Sequence, residues 1–483
     1  MKSRIVFLLN FLLLILPGLL MAQSEDTIWT LDECIEYAKK NNLIIQTNQL
    51  EVQQNKINLT QSKANHYPSF SMGSSYGYNW GRSIDPTTNL FTNNQITSSG
   101  INGNVNWTLF AGNQIRNSVK QSEVNLEASM YDLEASQNSV MLDVIAYFTN
   151  VIYNQELLEI AKKQLESTEK QVERTERLVE AGALTKVDLL QLISQKATNQ
   201  SEIINAQNNL SQSLLELKQL LLIPASEGFA IEVPEISLTE ATLPEESVED
   251  VYQIAEETMP EIKAVDLRVE SSDLAISINK GTLYPTLSLS GQFYTNYSSV
   301  SSGERSLSTG ENETVTSPIG YVQNTGEIVV SNVSVPITEV YDNNFGRQFK
   351  DNFSQSASIR LSIPVFSNLQ NRSSYQRSVI QKQQQEVLAK QQRQQMRQII
   401  ETAYNDVVAA YQSYNQSIVS VDALEETFRA TDEQYNLGAA IFTEWQVANY
   451  NLFQARSDLL RAKYNYIFKQ KVLDFYMGNQ VTL

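Results

Sequence analysis

Gly182-Ala183-Leu184-Thr185-Lys186-Val187-Asp188 is the single interruption in a long stretch of unbroken helical pattern. Between Asn113 and Ile223 the chain holds no proline and no glycine except Gly182. The same punctuation returns 256 residues later: Leu369 to Met477 again has no proline, and Gly438 is its only glycine. Phe110 and Phe366 stand at the same offset, as do Arg116 and Arg372. Leu126, Met130, Leu133, Met141, Val144, Phe148 and Ile152 trace one apolar stripe before Gly182, and Met396, Ile399, Ala403, Val407, Tyr411, Tyr414, Ile418 and Val421 another before Gly438. A helix from Asn113 to Ala181 is about 100 Å long at 1.5 Å per residue. Globular helices average about 11 residues, so one of this length needs lateral support from neighbouring helices. Gly182 reverses the chain, and Leu184–Ile223 returns antiparallel until Pro224. Two copies of a long helical hairpin follow, by tandem duplication.

Ahead of each hairpin the period changes. Residues 31–64 read as helix behind the N-cap candidate Thr30, ended by Pro68. From Phe70 to Trp80 the period is two, with Phe70, Met72, Tyr76, Tyr78 and Trp80 on one face and small polar residues on the other. Ile101–Phe110 sets Ile101, Val105, Trp107 and Leu109 against Asn102, Asn104, Asn106 and Thr108. After Tyr284-Pro285-Thr286, which echoes Tyr67-Pro68-Ser69, strands of the same kind are predicted over Leu287–Tyr297 and Phe353–Phe366. About 10 residues is what a tilted strand needs to cross a bilayer, and the aromatics fit its interfaces. Four membrane strands per chain are therefore predicted. Ser298–Asn352 holds 39 residues more than its counterpart in the first half, and Val329, Val330, Val333, Val335 and Ile337 suit either a small extra hairpin or an unstructured loop. The expected organisation is a signal peptide over 1–22, a first repeat over 23–224, a Pro- and Glu-rich linker over 225–246 and a second repeat over 247–483.

Composition narrows the chemistry. Lys2 and Arg4, the apolar run Ile5–Leu16 and Leu20-Met21-Ala22 read as a secretory leader cut before Gln23. Beyond it no run approaches the ~18 apolar residues of a transmembrane helix, so a membrane form must be a β-barrel. Cys34 and His66 are the only residues of their kinds, which excludes internal disulfides and Cys- or His-rich metal centres. No cofactor is expected. A formal charge of −18, or −20 without Lys2 and Arg4, disfavours nucleic acid and is compatible with a cation-attracting conduit and with plain solubility alike. A glycosidase-like carboxylate pair among the 54 acids finds no recognisable pocket. An exported coiled-coil adhesin without a pore would not need the alternation in all four strands.

Four strands do not close a barrel, for which about eight is the minimum, and an open edge in hydrocarbon costs several kcal/mol per unpaired group. Copies of the chain must pool their strands. The order of helix, strand pair, helical hairpin, linker and second copy resembles the TolC family of outer membrane efflux channels. Tyr67-Pro68-Ser69, Tyr284-Pro285-Thr286, Leu109-Phe110-Ala111-Gly112 and Gly182–Asp188 carry the local matches. The resemblance implies a mixed α and β fold in which a homotrimer forms a 12-stranded barrel in outer membrane lipid and a 12-helix coiled-coil tunnel through the periplasm. It also implies a passive exit duct that works with a periplasmic adaptor protein and an inner-membrane pump of RND or ABC type, in efflux or type I secretion.

A conduit does no bond chemistry, so its critical residues belong at its constrictions. Gly182 and Gly438 mark the hairpin tips. Asp188 and Glu444 each follow a tip glycine by six residues. Under three-fold symmetry each becomes a ring of three carboxylates that attracts cations; each equally suits capping of a helix N-terminus. The resemblance assigns Glu444 to an acidic ring at the periplasmic aperture and Tyr435 to a hydrogen bond with Asp188 that holds the closed state. Ala440 and Val447 stand where relatives carry charges, so part of that latch is missing.

Overall fold

The computed structural model describes residues 27–84, 89–93, 95–234 and 241–479. The leader expected over 1–22 and the centre of the linker lie outside them. The described residues form two compact units, one drawn from 27–58, 122–272 and 381–479, the other from 59–121 and 273–380.

Strand β1 (Thr27–Trp29) pairs in parallel with a short strand, Phe229–Ile231. Helix α1 (Leu31–Asn41) begins in a capping box: the Glu33 amide donates to Thr30 Oγ1 at 3.2 Å, and the Thr30 amide donates to Glu33 Oε2 at 2.9 Å. A single helix over 31–64 is not what forms. Asn42 is extended (φ −62°, ψ 131°), and its Oδ1 accepts the Ile44 amide at 2.8 Å, capping a second helix, α2 (Leu43–Ala64). Helix α3 (Gln114–Glu180) has 67 residues, and α4 (Lys186–Leu221) returns from it. The second half repeats these lengths. Helix α5 (Val248–Thr258) starts in a capping box of Ser247 and Asp250, α6 (Pro260–Gly281) matches α2 at 22 residues, and, after α7 (Phe345–Asp351), α8 (Gln370–Asn436) again has 67 and α9 (Phe442–Tyr476) returns.

Helices α1 and α5 bury their apolar stripes against the long hairpins. Cys34, Ile35, Ala38 and Ile45 pack with Val144, Phe148, Ile152, Leu217 and Ile467. Val251, Tyr252 and Ala255 pack with Ile400, Val407, Tyr466 and Leu473. Polar straps add direction: Arg393 donates to Glu256 at 2.9 Å and to both oxygens of Asp266, while Arg397 forks onto Glu249 and lies 4.0 Å over the Tyr252 ring.

In the other unit, β2 (Ser69–Asn79), β5 (Ile96–Ala111), β7 (Thr286–Ser298) and β10 (Ser354–Ser362) form an antiparallel sheet in the order β10-β7-β5-β2; a two-residue pairing of β3 (Ser83–Ile84) with β4 (Phe91–Thr92) precedes β5. Phe229–Ile231, in the first unit, is β6. Register puts Phe70 beside Val105, Trp107 beside Leu289 and Leu289 beside Ile359, all on one face. The opposite face aligns Ser71 with Asn104, Asn104 with Gln292, Ser290 with Ser358 and Ser288 with Arg360. The Phe293 ring lies across Gly103, where a Cβ would stand 2.3 Å from it; glycine makes room for an aromatic in the sheet. The strand predicted over Phe353–Phe366 stops at Ser362, two residues before Pro364, which has no amide for the ladder.

Candidate functional site: the hairpin tips

Both tips close in the same way. Gly182 has φ 75° and Gly438 φ 73°, the left-handed region that glycine enters without a Cβ penalty. The Gly182 amide donates to the Val179 carbonyl and the Ala183 amide to Leu178; the Gly438 amide donates to Tyr435 and the Ala439 amide to Gln434. This is the Schellman pattern, which satisfies the last carbonyls of α3 and α8. Substituted side chains at either glycine would meet open space, so the constraint is conformational.

The N-caps of the return helices, Thr185 and Ile441, stand three residues after the glycines. Thr185 and Asp188 form a full capping box: Asp188 Oδ2 accepts from Thr185 Oγ1 at 2.7 Å and from the Thr185 amide at 3.0 Å. Glu444 makes half of one, its Oε2 accepting the Ile441 amide at 3.3 Å; Ile441 has no side-chain oxygen with which to reciprocate, and its carbonyl accepts the Glu444 amide at 3.1 Å. Asp188 is thus committed locally, whereas Glu444 is exposed and holds one weak bond.

The Tyr435–Asp188 hydrogen bond implied by resemblance is not formed within the chain. Tyr435 Oη is buried with no hydrogen-bond partner, as is Thr175 Oγ1. Burial, and behind it the Asp188 carboxylate, push the phenol up from the ordinary tyrosine value; Thr175 and Gln171 lie near enough to offset part of this without reaching hydrogen-bond geometry.

What joins the two tips is, Tyr435 apart, a set of residues that sequence reading passed over. Trp445, only 1% exposed, packs with Leu192 and Phe442, and Val172, Phe428 and Tyr435 lean on them. Its indole N–H donates to Asp432 Oδ1 at 2.7 Å. Asp432 Oδ2 accepts from Asn436 Nδ2 at 3.0 Å, and Asn436 Oδ1 accepts from Arg174 of the first hairpin. A little further along, Gln446 donates to Gln195 at 2.6 Å, Gln195 to Asn199 at 2.8 Å, and the buried Asn199 to Thr168 at 2.8 Å. The one available signal was a lone tryptophan, fourth residue of its helix. At the apex itself Leu437 is 85% exposed and Ile441 64%. Among the described residues no group of acids, His and Cys is arranged to hold a metal ion, and no helix is long and apolar enough to cross a membrane.

Comparison with known proteins agrees with this architecture. Residues 34–221 and 251–479 match the family described as Outer membrane efflux protein. The chain is 26% identical over 198 residues to the Outer membrane protein TolC of Vibrio cholerae, 41% of this chain and 45% of that protein. It spans about half the length of the curated relatives it matches. Among solved structures, CusC superposes with a TM-score of 0.69 at 18% identity over 93% of this chain and 92% of that one. VceC from Vibrio cholerae gives 0.68 at 14% identity over 94% and 97%. These structures share the fold: paired long helical hairpins joined to a four-stranded sheet. With 188 and 229 residues matched in its two halves, the chain belongs to the outer membrane efflux protein family.

Proposed function

We propose that three copies pool their sheets into a 12-stranded barrel in the outer membrane and their four hairpin helices each into a 12-helix periplasmic tunnel, forming the exit duct of a tripartite efflux or type I secretion system. The observation that carries the reading is the sheet: β2 and β10 are both edge strands, and the residues of β10 are exposed on both faces. Unpaired edges are costly in lipid and an exposed apolar face is costly in water; pairing with other copies removes the first cost and hydrocarbon the second. The Asn- and Ser-rich face then lines a wet lumen. A periplasmic adaptor docks at the tips, where Leu437 and Ile441 stand exposed, and an inner-membrane pump of RND or ABC type supplies the energy. The duct itself passes cargo, small molecules or proteins, passively.

Glu444 is the acid best placed to form a ring at the aperture, because its exposed carboxylate is held by a single long capping bond where that of Asp188 accepts two short ones. In planar bilayers under a salt gradient, the reconstituted protein should conduct with cation preference, and Glu444→Gln should move the reversal potential towards zero. Absence of any conductance favours the pore-free rod. A conducting channel whose reversal potential is untouched by Glu444→Gln leaves Glu444 a helix cap only.

A further inference from the structure

Arg360 is the only charged residue in the four strands of the sheet. It stands in β10 beside Ser288 of β7, on the face that carries Ser71, Asn104, Gln292 and Ser290. Ser290 and Ser358, its neighbours on that face, share a hydrogen bond with each other at 2.8 Å. Among the described residues no hydrogen bond or ion pair engages the guanidinium, and the residue is exposed. The extra residues between β7 and β10 form a hairpin of their own: β8 (Glu304–Tyr321) pairs antiparallel with β9 (Ile328–Asp342), and neither joins the sheet. They add no charge to its strands.

The other side of Arg360 is the free edge of β10. When copies pool their sheets, that edge meets β2 of the next copy, the other free edge. The polar face of β2 carries Ser71, Gly73, Ser75 and Gly77. Small uncharged residues therefore flank Arg360 on both sides. No carboxylate in either strand can neutralise it, and nothing bulky stops it from extending away from the wall. A cation kept unpaired in this way adds little to the stability of the sheet, and its charge stays available to a passing ion.

We propose that three copies of Arg360, one from each chain, form a ring of guanidiniums inside the barrel that attracts the anionic groups of permeating solutes. The proposal rests on the trimer reading above. Twelve strands about 4.8 Å apart and tilted by about 40° enclose a barrel of roughly 12 Å radius. An arginine extended through staggered rotamers carries its guanidinium about 6 Å inwards, leaving it about 6 Å from the axis. This is less than the Debye length of about 8 Å at physiological salt, so an ion on the axis feels all three charges. The planar fork of donors matches carboxylate and phosphate oxygens, and rings of arginine or lysine select anions in pores.

The test uses the full-length protein in planar bilayers under a potassium chloride gradient, with inorganic pyrophosphate as a multivalent anionic probe. Arg360→Gln, still migrating as a trimer, should raise the ratio of potassium to chloride permeability about threefold or more, a shift opposite in sign to that of Glu444→Gln. Pyrophosphate should block the parent channel, and its half-blocking concentration should rise about fivefold or more in Arg360→Gln while staying within about twofold in Arg360→Lys, which keeps the charge. An unchanged permeability ratio in Arg360→Gln, or a block that survives it, overturns the ring and leaves the duct standing. A parent protein that does not conduct at all overturns the duct reading itself, and the ring with it.

Discussion

Trp445→Ala is expected to raise the single-channel conductance of the reconstituted protein several-fold. Truncating a buried tryptophan costs about 3–5 kcal/mol, and here the loss falls at one place. The indole joins Phe442 (centroids 6.0 Å apart), Tyr435 (5.9 Å) and Phe428 (6.1 Å) and donates to Asp432. The rest of the tip cluster is Leu192 and Val172, too little apolar surface to hold two hairpins together in water. Removing about 3 kcal/mol from the closed arrangement shifts a closed-to-open ratio by roughly a hundredfold. Asp432→Ala should act in the same direction but more weakly, since it removes the acceptor shared by Trp445 and Asn436 and leaves the aromatic packing. Tyr435→Phe should leave conductance unchanged, because its hydroxyl has no hydrogen bond to lose. Conductance within twofold of the parent for Trp445→Ala contradicts the latch, as would opening by Tyr435→Phe alone.

Ile359→Arg is expected to abolish heat-resistant trimers in the outer membrane, while Arg360→Leu one residue on is tolerated. Ile359 is 70% exposed on the face shared with Leu289 and Trp107, whereas Arg360 lies opposite, beside Ser288. Arginine on the lipid face of a barrel costs about 2–4 kcal/mol at mid-bilayer, hence roughly 6–12 kcal/mol for three copies. Membrane fractionation followed by electrophoresis with and without heating checks both. Normal insertion of Ile359→Arg places the lipid elsewhere on the sheet.

Helical hairpins and the strand alternation were legible because they rest on period and punctuation. Gly182 and Gly438 break the long helices where expected, and Val144, Phe148 and Ile152 of the predicted stripe are fully buried. Met130, on the same stripe, is half exposed; a repeat written for a many-helix barrel has positions that one copy leaves uncovered. Asn42 escaped notice because breaking a helix through an Asx cap needs only one polar side chain in an unremarkable run. Strand β5 starts at Ile96, earlier than its apolar alternation, since Thr97, Ser98 and Ser99 read as loop yet pair with β2 and β7. Long-range pairing overrides weak local propensity there. The tip contacts were the least legible part: Arg174, Asn436, Asp432 and Trp445 are linked only after three helices, α3, α8 and α9, have folded, and nothing in their local spacing announces it. The absence of a charge at Ala440 was visible, but not that Arg174 reaches Asn436 from the opposite hairpin.

The central claim is that separate chains build one hollow cylinder. Cryo-electron microscopy of the protein in lipid nanodiscs tests it most directly. The account predicts three chains around a shared axis, a closed barrel of 12 strands within the lipid and 12 helices below it. A single chain, or a rod whose sheets remain open and outside the bilayer, would contradict it.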